Sequence, residues 1–225
     1  MKVEKISEHI WSIQSWMLIP VRIWLVADEE GITLVDAGMP FMAKGAAKTI
    51  DSLGAGPLRQ IVLTHGHSDH TGSLPSLLER YPGVPVYAHK AEIPYMEGQT
   101  LYPRRKKLEQ NVAPGLAKPL LQDEHGKLAK VASLTPYITP GHSPGHVVYY
   151  HEADQVLLAG DLFTSKRGNL HRPMPMFTAD MEEAVRSSLL LRDIQPKRLE
   201  VCHGGPVLNP AGQLEAYLQK FAAKR

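Results

Sequence analysis

The segment THGHSDH, at residues 64–70, contains three histidines and one aspartate. It continues an apolar run, RQIVLT, that is typical of a buried strand. In an extended segment His65 and His67 project to the same side, so both imidazoles can bind one cation. Asp69 and His70 reach a common centre only if the chain turns after His67, as it would at the start of a helix. The segment therefore predicts a cation site where a strand ends and a helix begins, with Asp69 and His70 available to a second cation nearby.

Further candidate ligands lie where later predicted strands end. These are His142 in TPGHSPGH, Asp161 in LLAGD and His203 in VCHGG. With the first cluster they make five histidines and two aspartates, enough for two metals about 3.5–4 Å apart if one carboxylate bridges them. The chain has eleven histidines and one cysteine, which excludes a disulfide framework and leaves mainly imidazole and carboxylate as ligands. A structural zinc site would more often use several cysteines.

The apolar pattern predicts one α/β domain over residues 1–225. Short apolar runs alternate with amphipathic segments, and 43% of the residues are hydrophobic. The first predicted strands lack helices between them, which argues against a doubly wound parallel sheet. We therefore expect two β-sheets packed face to face with helices outside. The polar stretch at residues 90–130 is expected to be an insertion or a lid.

Local signals place individual elements. Strands are predicted at HIWSIQ, VRIWLVA, GITLVDAG, RQIVLT, VPVYAH, HVVYYHE, QVLLAGD and RLEVCHG. A helix over residues 42–53 is predicted to end at Gly54, and another is predicted around residues 74–80. A later helix should begin at Asp180, with a capping box, and a final helix should have Asn209 as its N-cap.

The charge balance limits the classes of partner. The chain has 25 lysine and arginine residues and 23 aspartate and glutamate residues, which gives a formal charge of +2. This balance argues against a general nucleic-acid or membrane binder. No apolar stretch approaches the roughly 18 residues of a membrane span, and the first residues lack the apolar core of an export signal. We therefore expect a cytoplasmic protein with a small-molecule partner. The oligomeric state stays open, and a dimer is one option.

Five segments, in the order LVDAG, THGHSDHTG, TPGHSPGH, GDLF and HGG, resemble the signature motifs of the metallo-β-lactamase fold superfamily of metallohydrolases. The resemblance implies an αββα sandwich of two mixed sheets with the metals at one edge. It assigns metal one to His65, His67 and His142, and metal two to Asp69, His70 and His203. Asp161 would bridge the two metals, and Asp36 would steady the ligand loop from behind.

For a pair of cations the expected reaction is hydrolysis. Two cations lower the pKa of a shared water toward ~7, so that a hydroxide can attack a carbonyl at neutral pH. Asp69 is the candidate for passing a proton to the leaving group. Zn²⁺ is the expected metal, although imidazole and carboxylate also accept Fe, Mn or Co. The predicted substrate is a small ester, lactone or thioester.

Departures from known subfamilies leave the substrate open. The motifs TPGHSPGHVVYY and GDLF resemble glyoxalase II and the acyl-homoserine lactonases, but the lactonases have a tyrosine where this chain has Thr164. Asp161 is present and Cys202 lies outside the ligand positions, which disfavours a true β-lactamase. Two alternatives remain: a mononuclear iron enzyme similar to the persulfide dioxygenases, and a nucleic-acid phosphodiesterase that binds through the basic run at residues 104–107. A solvated helix face is the simpler interpretation of that run.

The other notable side chains have ordinary interpretations. His146 is expected to be packed and hydrogen-bonded rather than a ligand. Cys202 is expected to fill a small buried site. Surface or strand-edge positions are expected for His9, His89, His125 and His151, while His171 could line the pocket. A roof over the metals could come from Tyr95, Met96, Met174, Met176 and Phe177, which would favour an apolar acyl group in the substrate.

Overall fold

A computed structural model describes residues 1–16 and 18–221 of the chain. Its strands are β1 (Lys2–Lys5), β2 (Ile10–Trp16), β3 (Pro20–Asp28), β4 (Gly31–Val35), β5 (Leu58–Val62), β6 (Val86–Ala88), β7 (Ala117–Pro119), β8 (Leu134–Ile138), β9 (Val147–His151), β10 (Val156–Leu158), β11 (Thr164–Lys166), β12 (Asn169–His171), β13 (Arg198–Glu200) and β14 (Val207–Leu208). Its helices are α1 (Ala43–Leu53), α2 (Ser68–Thr71), α3 (Leu74–Arg80), α4 (Ile93–Met96), α5 (Met181–Ser187), α6 (Leu190–Ile194) and α7 (Leu214–Phe221). Short 3₁₀ turns at Pro40–Met42 and Pro210–Gln213 lead into α1 and α7.

The first sheet changes from antiparallel to parallel along its width. Within the described residues it has seven strands, in the order β1-β2-β3-β4-β5-β6-β7. The first four pair as antiparallel neighbours, whereas β5, β6 and β7 each join in parallel. A hairpin needs only a tight turn, but a parallel pair needs a crossover, which α1 supplies between β4 and β5. The prediction of N-terminal strands without intervening helices is confirmed.

The second sheet is also mixed. Its five strands in the described chain are ordered β14-β13-β10-β9-β8, and β11 with β12 forms a separate two-stranded ribbon. β10 and β13 are parallel, and the other pairs of this sheet are antiparallel. Because β8 and β10 are each antiparallel to β9, these two strands run in the same direction. The carboxyl ends of β8, β10 and β13 therefore lie at one edge of the sheet.

Alternate residues of β9 show how the layers stack. Val147 and Tyr149 lie in the core that also contains side chains of the first sheet. Val148 and Tyr150 lie in a second core with residues of α5, α6 and α7. Because side chains alternate between the faces of a strand, the second sheet is covered on both sides. Side chains of α1 and α3 pack against the first sheet, so the predicted sandwich of two mixed sheets with outer helices is confirmed.

Helix ends agree with the sequence signals at some positions and differ at others. α1 ends at Gly54, whose φ of 67° is left-handed, and α3 coincides with the predicted helix. The Asp180 carboxylate accepts the N–H of Glu183, as a cap of α5 requires. Asn209 stands at the predicted N-cap position, before Pro210 and the 3₁₀ turn that leads into α7, but its φ is 48° and its side chain makes no capping hydrogen bond. A side-chain cap typically has extended backbone, which this left-handed asparagine lacks.

The stretch at residues 90–130 is only partly separate from the sandwich. It contributes α4, and it also contributes β7, which pairs in parallel with β6 at the sheet edge. The remainder between these elements runs irregularly beside the strand ends.

Among all described helices, none is both long and apolar enough to cross a membrane.

Candidate metal centre

The predicted ligands follow the carboxyl ends of strands in both sheets. His65 follows β5, His142 follows β8, Asp161 follows β10 and His203 follows β13. Asp69 and His70 lie in α2, the short helix that turns the chain back after His67. The structure brings these predicted ligands, seven residues from four parts of the chain, into one group, which we call the ligand cluster: His65, His67, Asp69, His70, His142, Asp161 and His203.

The three residues predicted for metal one form a tight triad of imidazoles. His67 Nδ1 lies 2.9 Å from His65 Nε2 and 3.1 Å from His142 Nε2. All three side chains are buried. Burial lowers the pKa of His67 to about 4 and lowers the pKa values of His65 and His142 well below the ordinary range. The triad is therefore neutral at physiological pH, and its nitrogen lone pairs are available to a cation.

The residues predicted for metal two lie beside the triad. His203 Nε2 is 3.2 Å from Asp69 Oδ2, and His70 Nε2 is 3.7 Å from the same oxygen. Burial by itself raises the pKa of Asp69, but the neighbouring His70 and His203 outweigh it and lower this pKa to about 2. Asp69 is thus ionised at neutral pH. The Cys202 thiol also lies within 4.8 Å of the ligand atoms of these three residues.

The Asp161 carboxylate lies between the two sets. Its Oδ2 is 3.4 Å from His142 Nε2 and 3.3 Å from His203 Nε2, and its Oδ1 is 3.5 Å from His70 Nε2. Burial opposes ionisation of Asp161, but the surrounding histidines hold its pKa well below the usual value. One carboxylate therefore faces imidazoles of both predicted metals.

Unpaired polar atoms show that this set suits cations. Buried polar atoms in folded proteins are nearly always hydrogen-bonded. Yet in residues 1–16 and 18–221 the buried atoms His70 Nε2, His203 Nε2 and Asp161 Oδ1 lie 3.2–3.5 Å from their charged neighbours without forming a well-aligned hydrogen bond. These atoms face one another across the centre of the cluster. Leaving them unpaired would be costly, and a bound cation satisfies all three.

In His70 and His203, the ring nitrogen that faces away from the centre of the ligand cluster forms a hydrogen bond with the protein. The His70 imidazole donates through Nδ1 to Asp36 Oδ2 at 2.8 Å, and His203 Nδ1 donates to the carbonyl of Pro20 at 2.8 Å. The same Asp36 carboxylate accepts hydrogen bonds from the backbone and the hydroxyl of Thr64. Such contacts fix the tautomer that leaves Nε2 free to bind a metal. Asp36 itself adopts a left-handed φ of 61° at the end of β4.

His146 lies next to the ligands but has a different function. Its Nδ1 is 2.9 Å from Thr139 Oγ1, and its Nε2 accepts the backbone N–H of Asp161 at 3.2 Å. Both ring nitrogens are therefore occupied, as expected for a packed and hydrogen-bonded histidine. Its contact to the Asp161 backbone helps to hold the shared carboxylate in place.

Glu92 was missed by the sequence reasoning. It is fully buried at the N-terminal end of α4. Among the described residues its carboxylate accepts hydrogen bonds from the backbone of Gly66 and Gly145 and from the hydroxyls of Tyr102 and Ser143. Glu92 follows β6, at the edge where the ligands also follow strand ends, and this position was the signal that could have identified it.

Two histidines expected at surface or strand-edge positions are buried. His151 is only 3% exposed, and its Nδ1 accepts the N–H of Asp154. His89 is 6% exposed and accepts the N–H of Ala91. Each caps a strand end with a local hydrogen bond, so its ring is covered by the following turn. His171 is half-buried near Phe221, 6.0 Å between ring centroids, rather than in the cavity over the ligands.

A cavity of about 700 Å³ opens above the ligand cluster. Its apolar walls come from Leu18, Ile19, Val21, Met39, Met174, Met176 and Phe177, and its polar lining comes from Ser68, Arg105, Glu109 and Asn111 beside four of the ligands. The Arg105 guanidinium lies over the Phe177 ring, 5.1 Å from its centroid. Of the residues expected in the roof, Met174, Met176 and Phe177 line this cavity, whereas Met96 is buried beneath Gly66.

The basic run at residues 104–107 is not a uniform surface. The Arg104 guanidinium donates to the carbonyls of Pro175 and Thr178, at 3.1 and 3.0 Å. Arg105 lies 3.6 Å from the Glu109 carboxylate and points into the cavity. These two arginines therefore bind the neighbouring loop and line the cavity, whereas Lys106 and Lys107 are exposed.

Comparison with known proteins agrees with this geometry. Residues 17–203 match the family described as "Metallo-beta-lactamase superfamily". The chain is 35% identical to "Probable metallo-hydrolase YybB" of Bacillus subtilis (strain 168), over 98% of this chain and 99% of that protein. It is 33% identical over 124 residues to "Hydroxyacylglutathione hydrolase" of Crocosphaera subtropica, which is 55% of this chain and 41% of that protein. A solved structure of TTHA1623 "in a di-iron-bound form" aligns with a TM-score of 0.68 and 27% identity, over 91% of this chain and 96% of that one.

Proposed function

The chain belongs to the metallo-beta-lactamase superfamily and is a metal-dependent hydrolase. From this premise we propose that it uses two divalent cations to hydrolyse a small-molecule ester, lactone or thioester. Metal one is held by His65, His67 and His142, and metal two by Asp69, His70 and His203, with Asp161 shared. Zn²⁺ is the proposed metal, and this donor set also accepts Fe, Mn or Co.

The position of Asp161 carries this proposal. Its two oxygens face His142 of one set and His70 and His203 of the other, at 3.3–3.5 Å. One cation needs only three or four of these ligands. The complete set, with buried unpaired atoms on both sides of Asp161, suits two.

When bound, the cations supply Lewis acidity and a hydroxide nucleophile at neutral pH. The protein supplies the rest of the chemistry. Asp69 has the most exposed side chain of the ligand carboxylates, 28% against 5% for Asp161, and it lines the cavity. It is ionised at neutral pH, and its position in the cavity wall lets this carboxylate exchange a proton with the leaving group. His203 contacts Asp69 Oδ2 and so holds this carboxylate in position.

The walls of the cavity support an apolar substrate portion. Met174, Met176 and Phe177 line one side and Leu18 and Ile19 another, and Met176 and Leu18 are largely exposed. Flexible methionine and leucine side chains adapt to an acyl group of variable shape. A nucleic acid is not favoured, because Arg104 and Arg105 are engaged with the loop and cavity.

Metal analysis and a substrate panel test the proposal together. Purified protein is analysed by mass spectrometry for metals and is assayed with lactones, thioesters, esters, β-lactams and phosphodiesters. Two metal equivalents per chain are expected, with turnover of an ester, lactone or thioester that a chelator abolishes and Zn²⁺ restores. One iron per chain, with no hydrolysis of any panel member, would overturn the proposal, and oxygen uptake with a persulfide would then favour the dioxygenase alternative.

A further inference from the structure

We propose that Glu92 is the positioning residue of metal one, in the way that Asp36 is the positioning residue of metal two. The inference rests on the proposed dinuclear site. Glu92 contacts neither cation position directly. It acts through the two loops that carry the imidazole triad.

Four hydrogen bonds join Glu92 to these loops and to a neighbouring ring. Its Oε1 accepts the N–H of Gly66 at 3.0 Å and the hydroxyl of Tyr102 at 2.7 Å. Its Oε2 accepts the N–H of Gly145 at 2.7 Å and the hydroxyl of Ser143 at 2.9 Å. Gly66 lies between His65 and His67, and Ser143 follows His142 directly. A single carboxylate thus sets the spacing of the two loops.

The donors around Glu92 favour an ionised acid. An ionised carboxylate is acceptor-only and has about four lone-pair sites, which matches the four donors found here. Hydrogen bonds to a charged acceptor are roughly twice as strong as neutral ones, and they partly offset the cost of burying Glu92. Glutamine has the same shape, but its amide nitrogen cannot accept the backbone N–H of Gly66 or of Gly145, whichever it faces. That variant would therefore release one of the two loops while preserving the volume of the side chain.

Close packing of α4 against both loops supports this function. A Cβ atom at position 145 would lie 2.4 Å from the Glu92 backbone nitrogen, and one at position 66 would lie 2.3 Å from Met96 Cβ. Both approaches are closer than a side chain allows, so glycine is required at these two positions. The Gly66 carbonyl is also bound, by the Asn111 side chain at 2.9 Å. The backbone between His65 and His67 is therefore held on both sides.

The two buried acids contact different ligand sets directly. Asp36 bonds the His70 ring, which is assigned to metal two, and it reaches His65 only through the hydroxyl of Thr64, which lies 3.1 Å from His65 Nδ1. Glu92 bonds the loops of His65, His67 and His142, all assigned to metal one. Loss of either acid should therefore weaken one cation more than the other. A residue needed only for folding would weaken both together.

The test is a stepwise titration of the metal-free full chain with Zn²⁺ in competition with a chelator, repeated with Co²⁺ to record its visible absorption. The variants are Glu92→Gln and Asp36→Asn, and the control is Glu97→Gln. Glu97 lies just after α4, is buried and accepts the N–H of Gly115, which is in neither ligand loop. Unfolding temperatures of the metal-free proteins are measured in parallel.

Glu92→Gln is expected to weaken one binding step by about 10- to 100-fold, as is typical of residues that orient metal ligands. Asp36→Asn should weaken the other step, with a different change in the Co²⁺ absorption, and Glu97→Gln should weaken neither. If Glu92→Gln does not fold, Ser143→Ala and Tyr102→Phe each remove one donor and should weaken the same step by a smaller factor.

Equal weakening of both steps by Glu92→Gln, or no weakening at all, would overturn the inference. If the wild-type chain binds a single cation, the dinuclear proposal fails separately. Glu92 is then tested on that single site: a loss of affinity with Glu92→Gln but not with Glu97→Gln supports its function, and equal affinities reject it.

Discussion

Two clusters of histidine and aspartate in this molecule look alike by distance and differ in their hydrogen bonds. One is the ligand cluster at the strand ends. The other, which we call the His9 cluster, consists of His9, His151 and Asp154, and its potential ligand atoms also lie within 4.8 Å of one another. Both clusters join distant parts of the chain, so proximity alone would rank them together.

The His9 cluster satisfies its own polar groups. The backbone N–H and the ring Nδ1 of His9 bond the two oxygens of Asp154, at 3.0 and 2.8 Å. The Asp154 N–H donates to His151 Nδ1 at 3.2 Å. These bonds connect the residue that precedes β2 in the first sheet to the turn that follows β9 in the second. The His9 cluster is thus a hydrogen-bonded connection between the sheets.

The ligand cluster, in contrast, has buried atoms without a well-aligned hydrogen bond in the described chain. His70 Nε2, His203 Nε2 and Asp161 Oδ1 only lie 3.2–3.5 Å from charged neighbours across residues 1–16 and 18–221. Native proteins rarely leave such atoms buried without a partner, because each costs about 1–3 kcal/mol. Unmet hydrogen-bonding capacity, rather than the number of nearby ligands, therefore separates a metal centre from a structural cluster.

The substitution Asp161→Asn should reduce metal binding and turnover more than any other change we propose. Asp161→Asn keeps the size of the side chain but removes the charge that faces three imidazoles. We expect metal content and turnover to fall by more than the ~10- to 100-fold that follows loss of a residue that only orients a ligand. Elemental analysis and steady-state hydrolysis measure both. The matched variant Asp154→Asn should retain its metal, and unchanged metal in Asp161→Asn would remove Asp161 from the ligand set.

Removal of metal should destabilise the protein through the ligand cluster alone. A ligand at 100 times its Kd stabilises the folded state by about 2.7 kcal/mol. For a chain of this size each kcal/mol shifts Tm by about 2–4 °C, so chelation should lower Tm by roughly 5–10 °C. Scanning calorimetry with and without chelator measures the shift. Asp154→Asn should show the same shift as wild type, and an equally large shift in Asp161→Asn would contradict the assignment.

Loss of the His9 cluster should affect stability without affecting metal. Asp154→Asn leaves a buried group short of an acceptor, so we expect a loss of about 1–3 kcal/mol in urea unfolding. Burial raises the pKa of Asp154, but the neighbouring Ser7 and His9 outweigh burial and the net pKa lies below the ordinary value. Its contribution is then complete above the unfolded pKa of about 3.9 and disappears as pH falls through the folded pKa.

The stability difference between wild type and Asp154→Asn should accordingly be full at neutral pH and shrink below about pH 4. Urea titrations at a series of pH values measure this difference. A difference that grows on acidification would show that Asp154 is not stabilised in its ionised form.

Substitution of Cys202 should have the smallest effect on metal content and stability. Its thiol is fully buried and lies within 4.8 Å of the ligand atoms of Asp69, His70 and His203. Cys202→Ala should leave the metal content unchanged and reduce stability by about 1 kcal/mol, the cost of a small cavity. Elemental analysis and urea unfolding check both expectations. Loss of one metal equivalent would place the thiol among the ligands.

Much of the fold and of the ligand cluster could be predicted because the signals are local. α1 and α3 follow from apolar spacing within one helix. The ligand motifs each follow a strand, and parallel strands place their carboxyl ends at one edge. Asn209 shows the limit of a local signal. Its residue type suits an N-cap and it stands at that position, but its left-handed backbone leaves the side chain without a capping hydrogen bond.

The contacts of Glu92 could not be predicted in the same way, although its position after β6 was a signal for the site. Its partners Gly66, Ser143 and Gly145 lie 26, 51 and 53 residues away, and no spacing in the sequence relates them. The burial of His89 and His151 was missed for a similar reason, because it depends on the turns that fold over them. Contacts between remote loops appear only once the sheets are packed.

The sequence by itself determined the kinds of ligand, their order and the strand ends that present them, because residue type and strand periodicity are properties of short segments. Only the tertiary structure decided which of these atoms stay unpaired and which buried acids hold them. Hydrogen-bond satisfaction depends on partners from both sheets, and the ligand cluster and the His9 cluster become different only when those partners are in place.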